Sequence, residues 1–285
     1  MEQTGRHPGR VRFWSMALVL SLIGLLVGAC DEVDKLTGNE EVVVPTLATL
    51  TDLQTAIYLT QVAPPPGFAT VSFPGIDDNL RTAVYSHVVI TVNFDGAYSE
   101  PTPDDPTNIQ STMRVEIWND DFNVARQVRI EFLGNVFSGD ASNLDVVRLS
   151  NNFYMLNPNG VCITDPAKIR DIATLQGGQL LGGVNLAQPT GRPDELINGY
   201  KSWQYGFTPS QMNYPSIQTT NAIDILTGEL WVAPEYNIVT RYKVEMNVYQ
   251  ATLLFGNRPV TGRIVFQYDV DQIGIAPNIS VPNGC

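Results

Sequence analysis

Histidine is almost missing from this chain: His7 and His87 are the two in 285 residues. Metal sites built on imidazole and thiolate need clusters of such ligands. The sequence has no Cys/His cluster, so no metal and no other cofactor is expected. Nucleophilic catalysis of the Ser-His-Asp or Cys-His kind would have to run through His87. That residue lies inside a strand pattern, on the side of Val89 and Thr91, where a structural role is expected. The G-x-S-x-G, H-E-x-x-H and phosphate-loop motifs are missing as well. Gly177-Gly178 and Gly182-Gly183 have no phosphate signature after them. Asp104-Asp105 and Asp120-Asp121 fall in turns and read as solvated turn residues. The chain is therefore expected not to be an enzyme. Basic charge is also short: Lys and Arg number 17 against 29 Asp and Glu, a net charge of −12. Binding a nucleic-acid backbone needs a basic face, which excludes that partner class.

Long apolar runs are scarce too. The one at Phe13–Val27 is about 15 residues, short of the ~20 of a membrane-spanning helix. It has Arg6, Arg10 and Arg12 before it and Gly28-Ala29 after it. A basic zone, an apolar zone and small residues before a cut site make an export signal. Val27-Gly28-Ala29-Cys30 resembles the lipobox of bacterial lipoproteins. That resemblance implies a signal peptide over residues 1–29 and a lipid-modified Cys30 as the first mature residue. The domain would then be extracytoplasmic, with the membrane as its partner through a lipid anchor. Asp31 resembles the inner-membrane retention signal of some two-membrane bacteria. Loss of residues 1–29 removes Arg6, Arg10, Arg12 and Glu2 and leaves 14 basic against 28 acidic residues, a net charge of −14.

Cysteine is scarce, with three in all. After Cys30 only Cys162 and the C-terminal Cys285 are left. In an exported chain two cysteines most simply form one disulfide, with two free thiols as the alternative. Residues 30–46 are acidic and suit a solvated tether. Residues 47–285 read as a single domain. Within it, Leu47–Val62 carries apolar residues at helical spacing together with strand formers, so helix and strand both stay open. Pro64-Pro65-Pro66-Gly67 forces an extended corner.

From Thr82 onward, alternation of period two dominates. Met113, Val115 and Ile117 interleave with Arg114 and Glu116. Val128, Ile130 and Phe132 interleave with Gln127, Arg129 and Glu131. The same holds for Tyr242–Val248 and Ile264–Val270. Each strand therefore has one apolar and one polar face, the antiparallel pattern. Turn signals at Asn119-Asp120-Asp121, Gly134-Asn135, Pro158-Asn159-Gly160 and Gly256-Asn257 join neighbours into a meander. Asp165-Pro166 starts a helix, with Asp165 as N-cap and Pro166 in the first turn. Gly177-Gly178 is expected to stop it, followed by loose chain to Arg192-Pro193.

The segment Gly228-Glu229-Leu230-Trp231-Val232, with Arg241-Tyr242 on the next strand, resembles the half-barrel lipoproteins related to LppX and LprG and to the carrier LolA. The resemblance spans about Thr82 to Cys285; Pro64–Gly67 departs from it. It implies a mainly β (α+β) fold, a large curved antiparallel sheet or half-barrel covered by a few helices. It further implies an apolar cavity for a lipid or other hydrophobic ligand. The candidate lining is Val92, Phe94, Val115, Ile117, Ile130, Phe132, Trp203, Tyr205, Trp231, Tyr242, Val244, Met246, Phe266 and Tyr268. The same residues serve equally as a filled core. The first expectation is thus an anchored lipid-binding or lipid-carrying protein. The alternative is a non-enzymatic structural or interaction module of the cell envelope, presenting loops such as 98–110 or 177–198. No motif names a protein partner.

Overall fold

The structure, a computed structural model, describes residues 63–138, 143–157 and 159–285. All belong to one compact unit, Ala56–Cys285. Cys30, the tether and the Leu47–Val62 segment lie outside the described residues.

The chain enters through the proline corner, closed by a Phe68 N–H to Pro65 C=O bond of 3.1 Å, into β1 (Val71–Phe73) and a 3-10 turn, Asp78–Thr82. A meander follows: β2 (Tyr85–Tyr98), β3 (Ile109–Asp120), β4 (Ala125–Leu133), β5 (Leu144–Leu149), β6 (Asn152–Leu156) and β7 (Cys162–Ile163). Two short helices come next, α1 (Pro166–Ala173) and α2 (Gly177–Leu181). The second half holds β8 (Gly183–Pro189), β9 (Glu195–Ile197), β10 (Tyr200–Gly206), β11 (Met212–Asn213), β12 (Ile217–Gln218), β13 (Asp224–Ala233), β14 (Ile238–Leu253) and β15 (Val260–Ile273). The main sheet runs β1-β8-β10-β13-β14-β15-β2-β3-β4-β5-β6-β7, antiparallel throughout and not closed on itself. The mainly β fold with few helices is as expected from the sequence.

The alternation sets the register. Tyr205, Leu230, Tyr242, Tyr268, Ile90, Val115, Ile130 and Leu144 stand opposite one another in a single row across eight strands. The next row on the same face runs Val270, Val88, Ile117, Val128, Val146, Met155, Ile163. The other face carries charge in alternating sign. Arg241 pairs Asp269 at 2.6 Å, and Arg129 reaches Glu116 at 3.9 Å and Asp145 at 3.5 Å. Such surface pairs contribute little stability each, but they keep this face wet and the other one buried.

Phe94 solves a local packing problem. Gly96 and Gly262 face each other across β2 and β15, and a Cβ on either would lie 2.8–2.9 Å from the tip of the Phe94 ring. The ring occupies the space that two missing side chains leave, as aromatics do over sheet glycines. Gly228 likewise admits Phe207, whose ring stacks on Tyr242 at 5.9 Å.

The helices cover the apolar face. Asp165 accepts the Ala167 N–H at 3.0 Å, as its N-cap role requires. Ile169 and Ala173 of α1 then pack on Val146 and Met155. The glycine pair behaves differently from its expected role as a stop. Gly177 and Gly178 begin α2, and their amides donate to the two Asp77 carboxylate oxygens at 2.7 and 2.9 Å. A carboxylate at a helix start satisfies donors that the helix itself leaves free. The approach is so close that a Cβ at Gly178 would lie 2.9 Å from Gly75 Cα. The expected loose chain after it is instead β8, which receives β1 on one side and β10 on the other. Asp77→Ala leaves both amides unpaired and should lower stability by about 2 kcal/mol, read as a shift in the urea midpoint.

Cys162 and Cys285 form a disulfide with their Cα atoms 5.0 Å apart, bridging 123 residues. It ties the chain's last residue to β7 at the sheet edge.

Candidate functional site

The candidate cavity residues divide by face. Tyr205, Tyr242, Tyr268, Val115 and Ile130 lie in the central row, and Ile117 in its neighbour. Val244, Phe266, Val92 and Phe132 form the next row, and Met246 and Phe94 the one after. Trp203 joins the same cluster from β10. These side chains pack with Phe73, Ile76, Leu180, Leu181 and Val184, from β1, the segment after it, α2 and β8. Phe132 is half-buried and meets Phe255 edge-on at 6.3 Å. Trp231 is the exception. It stands opposite Gln204 and Arg241, on the face that bears the charges, and lies outside the core cluster. The sheet slips register between Trp231 and Val232, so the alternation of Leu230-Trp231-Val232 does not reveal which face each residue takes.

His87 stacks on Trp118 at 4.6 Å, and its Nδ1 lies 3.0 Å from Asp271 Oδ2. Nε2 is buried without a partner. Asp104 and Asp121 are exposed turn residues as expected, whereas their neighbours Asp105 and Asp120 are engaged. Asp105 takes both Arg258 guanidinium nitrogens at 2.9 and 2.7 Å, and Arg258 lies 3.7 Å over the Tyr98 ring. That guanidinium, helped by the Thr102 amide, holds the Asp105 carboxyl well below its ordinary range. Asp120 is buried and accepts from the Asn123 amide and side chain at 2.9 and 2.7 Å, pinning the β3–β4 turn.

The apolar face ends in a polar row. Beyond Val88, Ile117, Val128, Val146 and Met155 come Ser86, Asn119, Arg126, Arg148 and, closing the row, Phe153, each two residues along its strand and so on the same face. Arg126 and Arg148 are direct cross-strand partners. They line an open cleft of ≈ 270 Å³ with Arg81, Asn119, Asp121, Thr174 and Gln176. A smaller space of ≈ 40 Å³, bounded by Asp77, Leu80, Val88 and Ile117, leads from the same arginine toward the core. On the other side, Arg148 and Thr174 also line an open cleft of ≈ 420 Å³ that reaches Ser150, Phe153 and Arg170. Arg126 donates to the Leu175 carbonyl and, at 3.5 Å, to Asn119 Oδ1, while its Nε is buried with no partner. Burial lowers its pKa, Arg148 and Arg81 lower it further, and Asp77 and Asp121 oppose the shift. Arg81 is held by Asp78 at 3.1 Å and Gln176 at 2.6 Å. Among the described residues, neither Arg126, Arg148 nor Arg170 forms an ion pair with a carboxylate.

No family model and no curated protein matches this chain.

Sequence reasoning missed the arginine row because its members come from a 3-10 turn, two strands and a helix, with no local motif. One signal was present. Arg126 continues the phase of Val128 and Ile130, which places a cation on the apolar side of β4. No group of His, Cys, Asp and Glu among the described residues could hold a metal ion.

Proposed function

We propose that this chain is a non-enzymatic interaction module of the cell envelope, held outside the cytoplasm by a lipid on Cys30, with its interior filled by its own side chains. The observation that carries this reading is the packing of the apolar face. The central row of eight residues meets α2, β1 and β8 of the same chain in one contiguous cluster. Ligand pockets usually measure about 300–1,000 Å³, whereas the space leading inward from the polar rim is ≈ 40 Å³. The clefts of larger size are open and border polar residues such as Asn93, Asp95 and Arg263, or Arg126 and Arg148. A lipid carried under the sheet would have to displace Tyr205, Tyr242, Tyr268 or Phe266, each 2% exposed or less.

Native mass spectrometry of the chain extracted from membranes tests this. The expected spectrum is one species carrying the N-terminal acyl groups and no further lipid. A second, stoichiometric lipid released on collisional activation would overturn the filled-interior reading in favour of a carrier. In the same experiment, Cys30→Ser should abolish the acyl mass and release the chain from the membrane fraction.

A further inference from the structure

We infer that the cleft between Arg126 and Arg148 is a binding site for an oxyanion, a phosphate or carboxylate group. Like charges directly opposite on neighbouring strands are unfavourable. Arg126 and Arg148 are such a pair, in the polar row that ends the apolar face beyond Val128 and Val146. In a chain with 29 acidic residues a carboxylate partner would be easy to supply. Yet the described residues pair neither arginine. Arg129, the residue next in phase on the wet face of β4, has two acidic neighbours. The contrast is one of contact: Asp77 and Asp121 act on Arg126 from beyond ion-pair distance, and among the described residues no carboxylate touches either guanidinium.

The donors have the composition such a group needs. Arg126 spends Nη2 on the Leu175 carbonyl but Nη1 only on Asn119 Oδ1 at 3.5 Å, a long bond that an anion in the cleft could replace. Among the described residues, the Arg148 guanidinium spends only its Nε, on the Ser150 carbonyl at 3.0 Å. Guanidinium forks bind carboxylate and phosphate through paired, charge-assisted bonds. Asn119 stands at the rim with a side-chain amide as a neutral donor, whereas the Thr174 hydroxyl is spent on the Arg170 carbonyl at 2.9 Å. Asp121 also lines the cleft and Asp77 acts on Arg126 from beside it, but Asp77 is already occupied by the two α2 amides. The cleft continues past Arg148 toward Arg170, so the rest of an anionic molecule has somewhere to lie. The inference rests on this cleft alone and holds whether the interior is filled or carries a lipid.

The test is calorimetric titration of the full chain, in neutral detergent at low ionic strength, with inorganic phosphate, glycerol 3-phosphate and acetate. At least one probe should bind saturably, one per chain. Arg148→Gln should weaken it roughly tenfold, and added salt should weaken it as well. Lys243→Gln, on the opposite face, should leave it unchanged. Tighter binding of phosphate than of its glycerol ester assigns the site to a free anion, and the reverse assigns it to an ester headgroup. Preference for acetate assigns it to a carboxylate. If Arg148→Gln fails to fold by circular dichroism, the exposed Arg170→Gln reads the same groove. Absence of saturable binding by all three probes, or binding indifferent to both substitutions, overturns the inference.

Discussion

Replacing Cys162 and Cys285 together by serine should lower the unfolding free energy by about 2–5 kcal/mol. The upper figure follows from the loop. The bond bridges 123 residues, and closing a loop of that length in the unfolded chain is worth about 5 kcal/mol in the chain-entropy model. The lower figure allows for residual compactness of the unfolded chain. The effect should be concentrated at the sheet's end, because β7 is a two-residue edge strand that, among the described residues, pairs with β6 alone. Residues 274–285 are also held by the Gly274 N–H to Tyr85 carbonyl bond of 3.0 Å and by the buried Pro282. They contain no regular element. The measurement is the guanidinium midpoint of the double serine variant against wild type, with the reduced wild type as a second comparison. A difference under 1 kcal/mol would show that the bond contributes nothing beyond its own formation. Thiol labelling of the oxidised, denatured chain should find neither cysteine free.

Two kinds of information separate what the sequence disclosed from what it hid. Period-two alternation is local, so β2, β3, β4, β14 and β15 were legible, as was the N-terminus of α1 from Asp165-Pro166. Cysteine count, with the expectation of export, pointed to the Cys162–Cys285 pair that the structure forms. Features that depend on residues far apart in the chain were hidden. Gly177-Gly178 reads as a helix stop until Asp77, 100 residues earlier, supplies the carboxylate that makes it a start. β15 joins β2 across more than 160 positions, and nothing in either strand names the other. The glycines at 96 and 262 carry no signal alone; facing each other under Phe94, they become a packing device. Trp231 was hidden for a third reason: three apolar residues in a row have no phase, and a bulge then shifts the register. The arginine row combines these difficulties: Arg126 shows its phase within β4, but that Arg148 stands directly opposite it appears only once β4 and β5 are paired.

Alkaline pH should unfold this domain steeply, and the cause lies in the central row. Tyr205, Tyr242 and Tyr268 stand there almost fully buried. Burial pushes Tyr205 up to about 12 and pushes Tyr242 and Tyr268 above the ordinary phenol value. In the unfolded chain each ionises near 10. Above that pH the unfolded state has lost protons that the folded state keeps, so stability falls as pH rises. Each such tyrosine contributes about 1.4 kcal/mol per pH unit, or about 4 kcal/mol per unit for the three, from pH 10 upward until the folded groups themselves titrate. Below pH 10 they contribute no slope. Absorbance at 295 nm should show these tyrosines ionising together with the loss of far-ultraviolet circular dichroism. Titration of every tyrosine near pH 10 with the sheet intact would refute the argument. Tyr268→Phe makes the account specific. Its hydroxyl is buried without a partner, while that of Tyr205 donates to the Phe68 carbonyl at 2.8 Å. Removing an unpaired buried hydroxyl should raise stability at pH 7 by about 1 kcal/mol and reduce the alkaline slope by about a third. Tyr205→Phe should reduce the slope equally but lose stability at pH 7, because it leaves the Phe68 carbonyl unpaired.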